Sequence, residues 1–212
     1  MSTAQFEFLQ RNQLTESYLE QAQKNYKSLL ENFSEQHHRG SSTTRIIAIN
    51  GSQGSGKSTL ADYLCTVISE RHNISTLALS LDDFYLTKTE RLKLALDVHP
   101  LLETRGVPGT HDIDLAIDTI KSLVAAESPT LVTRFDKSID DRMPAKHCQT
   151  VSGPLGLIVL EGWCMGARAQ NKTALSTPIN QLEKSSDKNA VWRNYVNRAL
   201  AGDYQKLFNL AD

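Results

Sequence analysis

The sequence predicts an α/β domain in which helices cover a parallel sheet. Short apolar, β-rich runs at residues 46–50, 74–80, 130–133 and 157–160 alternate with helical periods that start at Lys57 and cover 113–124. A glycine-rich string sits between the first run and the first of those helices, where a strand must turn into a helix. The chain has 212 residues, enough at roughly 150 per domain for one domain with an appendage and a core of its own.

At the N-terminus, Leu14, Tyr18, Leu19, Ala22, Tyr26, Leu29, Leu30 and Phe33 recur with the spacing of one amphipathic helix face. Residues 1–40 are therefore expected to be a helical appendage packed on the core; a free partner-binding helix is the alternative. The string HHRGSSTTR over 37–45 is expected to be a linker, and residues 41–212 the main domain. Near the other end, Val191, Tyr195, Val196, Ala199, Leu200, Tyr204, Leu207 and Phe208 predict a last helix. The polar stretch 172–189 is expected to be a mobile loop or lid.

Composition narrows the function. The 23 Lys plus Arg balance 24 Asp plus Glu, so no global field gathers nucleic acid or anionic membrane, and neither partner is expected. The longest largely apolar stretch, 155–160, is far short of the ~20 residues that span a bilayer. No secretory signal pattern opens the chain. Cys65, Cys148 and Cys164 lack CxxC spacing, which argues against a disulfide framework or a zinc site, and a cytoplasmic location is expected. The histidines show no metal-ligand spacing. No oligomeric state is specified, and a monomer is the default.

The sharpest motif is Gly51-Ser52-Gln53-Gly54-Ser55-Gly56-Lys57-Ser58-Thr59, which satisfies GxxxxGK[ST] between a predicted strand and helix. Its glycines let backbone amides converge on an anion, and the following helix adds its positive end. Lys57 is the expected cation for the β and γ phosphates and Ser58 the expected Mg²⁺ ligand. A dinucleotide turn is disfavoured because the spacing is not GxGxxG and has no use for Lys57-Ser58. A GTPase is disfavoured because no NKxD signature is present.

Acids follow two of the predicted strands. Asp82 and Asp83 come after the second, at the strand end where ligands of open α/β sheets collect, and a carboxylate there can take a proton from a hydroxyl. The alternative is that either one caps a helix starting near Thr87. Glu161, followed by Gly162 and Trp163, ends the run 157–160, where a Mg²⁺-ordering carboxylate belongs. Gly162 is expected to free the backbone to turn beneath a ligand. Thr110 or Asp112 is a candidate N-cap for the helix at Ile113, so Asp112 divides evenly between capping and substrate contact. Arg105, Arg134, Lys137 and Arg142 are cations near strand ends or loops. His111 is either a hydroxyl ligand or a plain loop histidine.

In this order and spacing, GSQGSGKST, SLDDFY, RGVPGTHD, RFDKSIDDR and LEGW resemble the P-loop type of D-glycerate 3-kinase and, more distantly, uridine kinase, pantothenate kinase and phosphoribulokinase. The resemblance covers about residues 45–208. It implies a kinase-type P-loop three-layer sandwich that uses ATP and Mg²⁺ to phosphorylate a small hydroxyl-bearing metabolite, D-glycerate first. It further implies Asp82 as the catalytic base, Glu161 as the metal-ordering acid, and acceptor contacts from Asp83, Tyr85, Arg105, His111, Asp112, Arg134 and Lys137. Relatives of this type continue past the final helix with another strand, an adenine-contacting segment and a basic lid. Because the sequence stops at Asp212, the domain is expected to be truncated and to lack its last strand, with Arg168, Arg193 or Arg198 standing in for lid arginines. Rival expectations are a kinase for a nucleoside-like or pantothenate-like acceptor and a nucleotide-binding protein of little activity.

Overall fold

The computed structural model describes residues 1–38 and 43–212; the centre of the linker expected over 37–45 lies outside them. In chain order the elements are α1 (Thr3–Asn12), α2 (Glu16–Asn25), α3 (Lys27–His38), β1 (Arg45–Asn50), α4 (Lys57–His72), β2 (Thr76–Ser80), α5 (Lys88–Asp97), α6 (Ile113–Ala125), β3 (Thr130–Val132), β4 (Phe135–Asp136), β5 (Asp141–Arg142), β6 (Gln149–Val151), β7 (Leu157–Gly162), α7 (Gln181–Ser186), α8 (Val191–Ala201) and α9 (Asp203–Phe208).

Among the described residues the parallel sheet has three strands in the order β1-β7-β2. The register sets Asn50 beside Gly162 and Ser80 beside Glu161, so all three strands end at one level. All six residues of β7 are buried, as expected for a strand covered on both faces. Leu157 and Val159 face a core formed with α4 and the N-terminal helices, through Leu64, Ile68, Phe8 and Leu30. Ile158 and Leu160 face the opposite core, with Ile117 and Ile120 of α6 and Tyr204 and Leu207 of α9. Alternation along the strand therefore carries Glu161 to the α4 side.

Four expectations change. The run at Thr130 is not part of the parallel sheet, because β3 pairs antiparallel with β6. Thr130 and Val132 are buried while Leu131 is exposed, the pattern of a one-sided ribbon, whereas a central parallel strand is covered on both faces. The single helix expected over 14–33 is two, because Tyr26 (φ −107°, ψ 14°) leaves helical geometry, and α1 precedes them behind a Ser2–Gln5 capping box. The last helix is divided at Gly202. Residues 172–189 are largely exposed but include the helix α7 and the buried Asp187, whose carboxylate meets the buried Arg193 at 2.9 Å, so Arg193 is tied up in that pair and not free to act as a lid arginine.

Beyond α9, Asp212 lies against β1: its amide donates to the Ile46 carbonyl (3.0 Å) and its carboxylate accepts from the Ile46 amide (2.9 Å). No described helix is long and apolar enough to cross a membrane.

Candidate active site

The loop after β1 turns on Gly54 and Gly56, at φ +76° and +84°, where side chains other than glycine are strained. A Cβ on Gly51 would lie 2.5 Å from Ser55 Oγ, so that hydroxyl would have to turn away. Gly56 is the N-cap of α4 and supplies no side-chain cap, so the first turn presents its amides outward, a ready anion site. Ser52, Gln53 and Ser55 are exposed on this loop, and Ser58, also exposed, and Thr59 lie in the first turn of α4.

Glu161 reaches this helix from β7. Ser58 Oγ donates to Glu161 Oε1 at 2.7 Å, and Lys57 Nζ lies 3.8 Å from Oε2. Glu161 is buried, yet Oε2 accepts no hydrogen bond. A hydroxyl and a carboxylate with a spare oxygen suit a hard cation such as Mg²⁺, which commonly takes one or two protein carboxylates and completes its shell with phosphate and water. Gly162 has a different task from the expected one. A Cβ there would meet Leu81 Cβ at 2.9 Å, so the glycine permits close packing of the strand end.

Asp82 and Asp83 lie in a 3₁₀ turn, Leu81–Phe84, directly after β2 and at the same end of the sheet as the glycine loop. Neither caps the next helix; Thr87 does, with Glu90 completing a capping box. Their roles diverge. Asp83 accepts from Arg134 (2.6 Å) and from the Phe135 amide (3.2 Å), pinning the β4–β5 hairpin to the turn. Asp82 accepts from Lys137 Nζ (2.7 Å) and the Tyr85 hydroxyl (3.1 Å). Burial pushes the Asp82 carboxyl up, but Lys137 and the Tyr85 hydroxyl outweigh it and hold the group below its ordinary value. Asp82 is thus an ionised carboxylate whose ammonium partner has a 60 % exposed side chain and is open to exchange.

The remaining expected acceptor residues form a supporting wall. Arg142 donates to the Tyr85 carbonyl (2.9 Å) and to Asp112 (2.9 Å), while Asp112 caps α6 through the Leu115 amide (3.0 Å). The capping alternative for Asp112 is therefore the one the fold uses. Arg105 pairs with Asp140 and lies 5.5 Å from the centre of the Phe135 ring. Tyr85 stacks on His111 with ring centres 4.2 Å apart, and burial, then Asp82, push its phenol up so that it acts as a donor. His111 is buried and its imidazole is lowered to about 3 by that burial, so it is neutral.

Sequence reasoning missed three contributors. Trp163 donates to the Gly106 carbonyl (2.9 Å), tying the end of β7 to the 105–112 loop. Arg91 is fully buried and holds Asp140 and the Glu103 and Leu86 carbonyls. Tyr204 meets His111 Nδ1 at 2.5 Å. A tryptophan beside a strand-end acid was the one available signal; Arg91 and Tyr204 look like ordinary members of amphipathic helices. Among the described residues no three His, Cys, Asp or Glu side chains cluster as a metal site.

No protein-family profile matches the chain. An uncharacterized kinase of Schizosaccharomyces pombe is 34 % identical over 176 residues, covering 79 % of this chain and 62 % of that one. The chloroplastic D-glycerate 3-kinase of Arabidopsis thaliana is 32 % identical over 150 residues, covering 65 % and 32 %. The chain thus spans between about a third and three fifths of the length of these relatives. Among solved structures, a D-glycerate 3-kinase from Cryptococcus neoformans superposes with a TM-score of 0.70 at 24 % identity, covering 91 % of this chain and 71 % of its own. With the glycine loop, the strand-end Glu161 and the sheet in the arrangement described, the chain has the P-loop kinase fold, and part of its sequence is similar to a D-glycerate 3-kinase.

Proposed function

We propose that this chain is an ATP-dependent kinase for a small hydroxyl-bearing metabolite, with D-glycerate as the first acceptor. The observation that carries this is the Ser58–Glu161 hydrogen bond at the uncapped start of α4, with Glu161 Oε2 left without a hydrogen bond. The names of the two relatives, a kinase and a D-glycerate 3-kinase, support the reaction class and the acceptor.

The amides of Gly51 to Thr59 and the Lys57 ammonium would bind the triphosphate, offsetting charge on the transferring phosphoryl group. Ser58 and Glu161 would hold Mg²⁺, which when bound neutralises phosphate charge as a Lewis acid. Asp82 receives the proton of the acceptor hydroxyl as that oxygen bonds to the γ-phosphorus. The bond from γ-phosphorus to the bridging oxygen breaks, and ADP keeps that electron pair. Lys137, released from Asp82, is placed to meet the anionic end of the acceptor.

The test is ATP consumption against a panel of D-glycerate, uridine and pantothenate, paired with calorimetry of MgATP. Turnover with D-glycerate alone is the expected result. Turnover with another acceptor only would overturn the substrate, and MgATP binding without turnover on any acceptor would overturn catalysis.

A further inference from the structure

We infer that Tyr204, on α9, is a positioning residue for the Asp82 site and acts on it through His111 and Tyr85. The inference rests on the proposal that Asp82 is the proton acceptor. It starts from a chain of short contacts that leads from the last helix to that carboxylate.

The Gly109 amide donates to the Tyr204 hydroxyl at 3.0 Å, and that hydroxyl is hydrogen-bonded to His111 Nδ1 at 2.5 Å. Nε2 is buried and has no hydrogen-bond partner, which leaves Tyr204 as the ring's one polar tether among the described residues. Tyr85 lies on that ring at 23° between planes, and its hydroxyl donates to Asp82. The backbones of the two segments are tied as well: Tyr85 bridges His111, the Leu86 amide donates to the Thr110 carbonyl (2.9 Å), and the Asp112 amide donates to the Phe84 carbonyl (2.7 Å).

Tyr204 itself is almost fully buried and meets Phe208 edge-on at 6.0 Å, so it has a fixed place from which to hold the imidazole. Without its hydroxyl the imidazole is free to turn, the stack beneath Tyr85 loosens, and the Asp82 carboxylate loses a well-directed donor. Asp82 faces Lys137 from the hairpin, Tyr85 from its own turn and His111 from the 105–112 loop, while the Tyr85 phenol also faces Arg105 and Cys164.

The test titrates the Asp82 carboxyl by carbon NMR in the full chain, which needs no acceptor. Tyr85→Phe is expected to raise the Asp82 midpoint, because a donor to the ionised form is removed. Tyr204→Phe is expected to raise it by less, and to add nothing when Tyr85→Phe is already present, as a double-mutant cycle requires of residues acting in series. His111→Phe keeps an aromatic ring beneath Tyr85 but cuts the tether, and should likewise make Tyr204→Phe silent. An Asp82 midpoint indifferent to Tyr204→Phe, or one shifted equally in both backgrounds, would overturn the inference. In turnover, Tyr204→Phe should lower kcat several-fold and leave the KM for ATP unchanged. Turnover that survives Asp82→Asn would instead sink the proposed base, which separates the two failures.

Discussion

The glycine loop draws its amides and its lysine from nine consecutive residues, Gly51 to Thr59, joined to one strand and one helix. The face around Asp82 is assembled from four distant segments: the turn after β2, the 105–112 loop, the β4–β5 hairpin and α9. In the first region geometry is held by backbone torsion. In the second it is held by ion pairs and stacked rings. The contrast teaches that one half of the site should fail through local conformation and chemistry, and the other through partners supplied from elsewhere in the fold.

The largest effects test the proposed phosphate-binding lysine and the proposed base directly. Lys57→Ala is expected to reduce phosphoryl transfer by about 10³-fold, and Asp82→Asn by at least ~10²-fold with MgATP binding retained, measured by coupled ADP release and calorimetry. Full turnover in Asp82→Asn would remove the acceptor face from the chemistry and leave the contrast as one of structure alone.

Gly51→Ala probes the backbone-built half. Its Cβ would collide with Ser55 Oγ, so MgATP affinity should fall by about tenfold while thermal stability changes little. An unchanged affinity would show that the loop adapts more freely than its torsions suggest.

Asp83→Asn probes the half held by ion pairs. It leaves Arg134 without its carboxylate partner and weakens the hairpin, at a cost of about 1–3 kcal/mol, read from denaturant unfolding. MgATP affinity should be untouched, because the hairpin is tied to the turn after β2 and not to the glycine loop.

The smallest effect concerns pH. Asp82 is held below its ordinary value of 3.8 in part by Lys137, so Lys137→Met lets that carboxyl rise. Activity that needs the ionised form is then lost at a higher pH on the acid side, and the acid limb of the kcat profile moves upward. A limb that stays in place would exclude Lys137 as a determinant of the base.

Periodicity was enough to find β1, α4, β2, α6 and β7, because each buries a face whose spacing is written in consecutive residues. It failed at Thr130, where three residues carry too little pattern to tell a ribbon from a core strand, and in the polar stretch 172–189, where a short helix, α7, and the Asp187–Arg193 pair leave no apolar spacing to read. The acids were legible as strand-end residues. Which of Asp82 and Asp83 stays available for chemistry was not, since the two adjacent acids are told apart by which hairpin partner, about fifty positions away, each one meets.

Residue order alone set the glycine turn, its lysine and hydroxyl, and the acid at the end of β7, because torsional freedom at glycine and the two-residue alternation of a strand are local properties. The three-dimensional packing decided that Arg134 and Arg142 are tied to Asp83 and Asp112, that His111 is a buried support for Tyr85, and that Tyr204 belongs to the same network. Charge pairing and ring stacking depend on separations through space, and those exist only once the helices and hairpin have closed around the sheet.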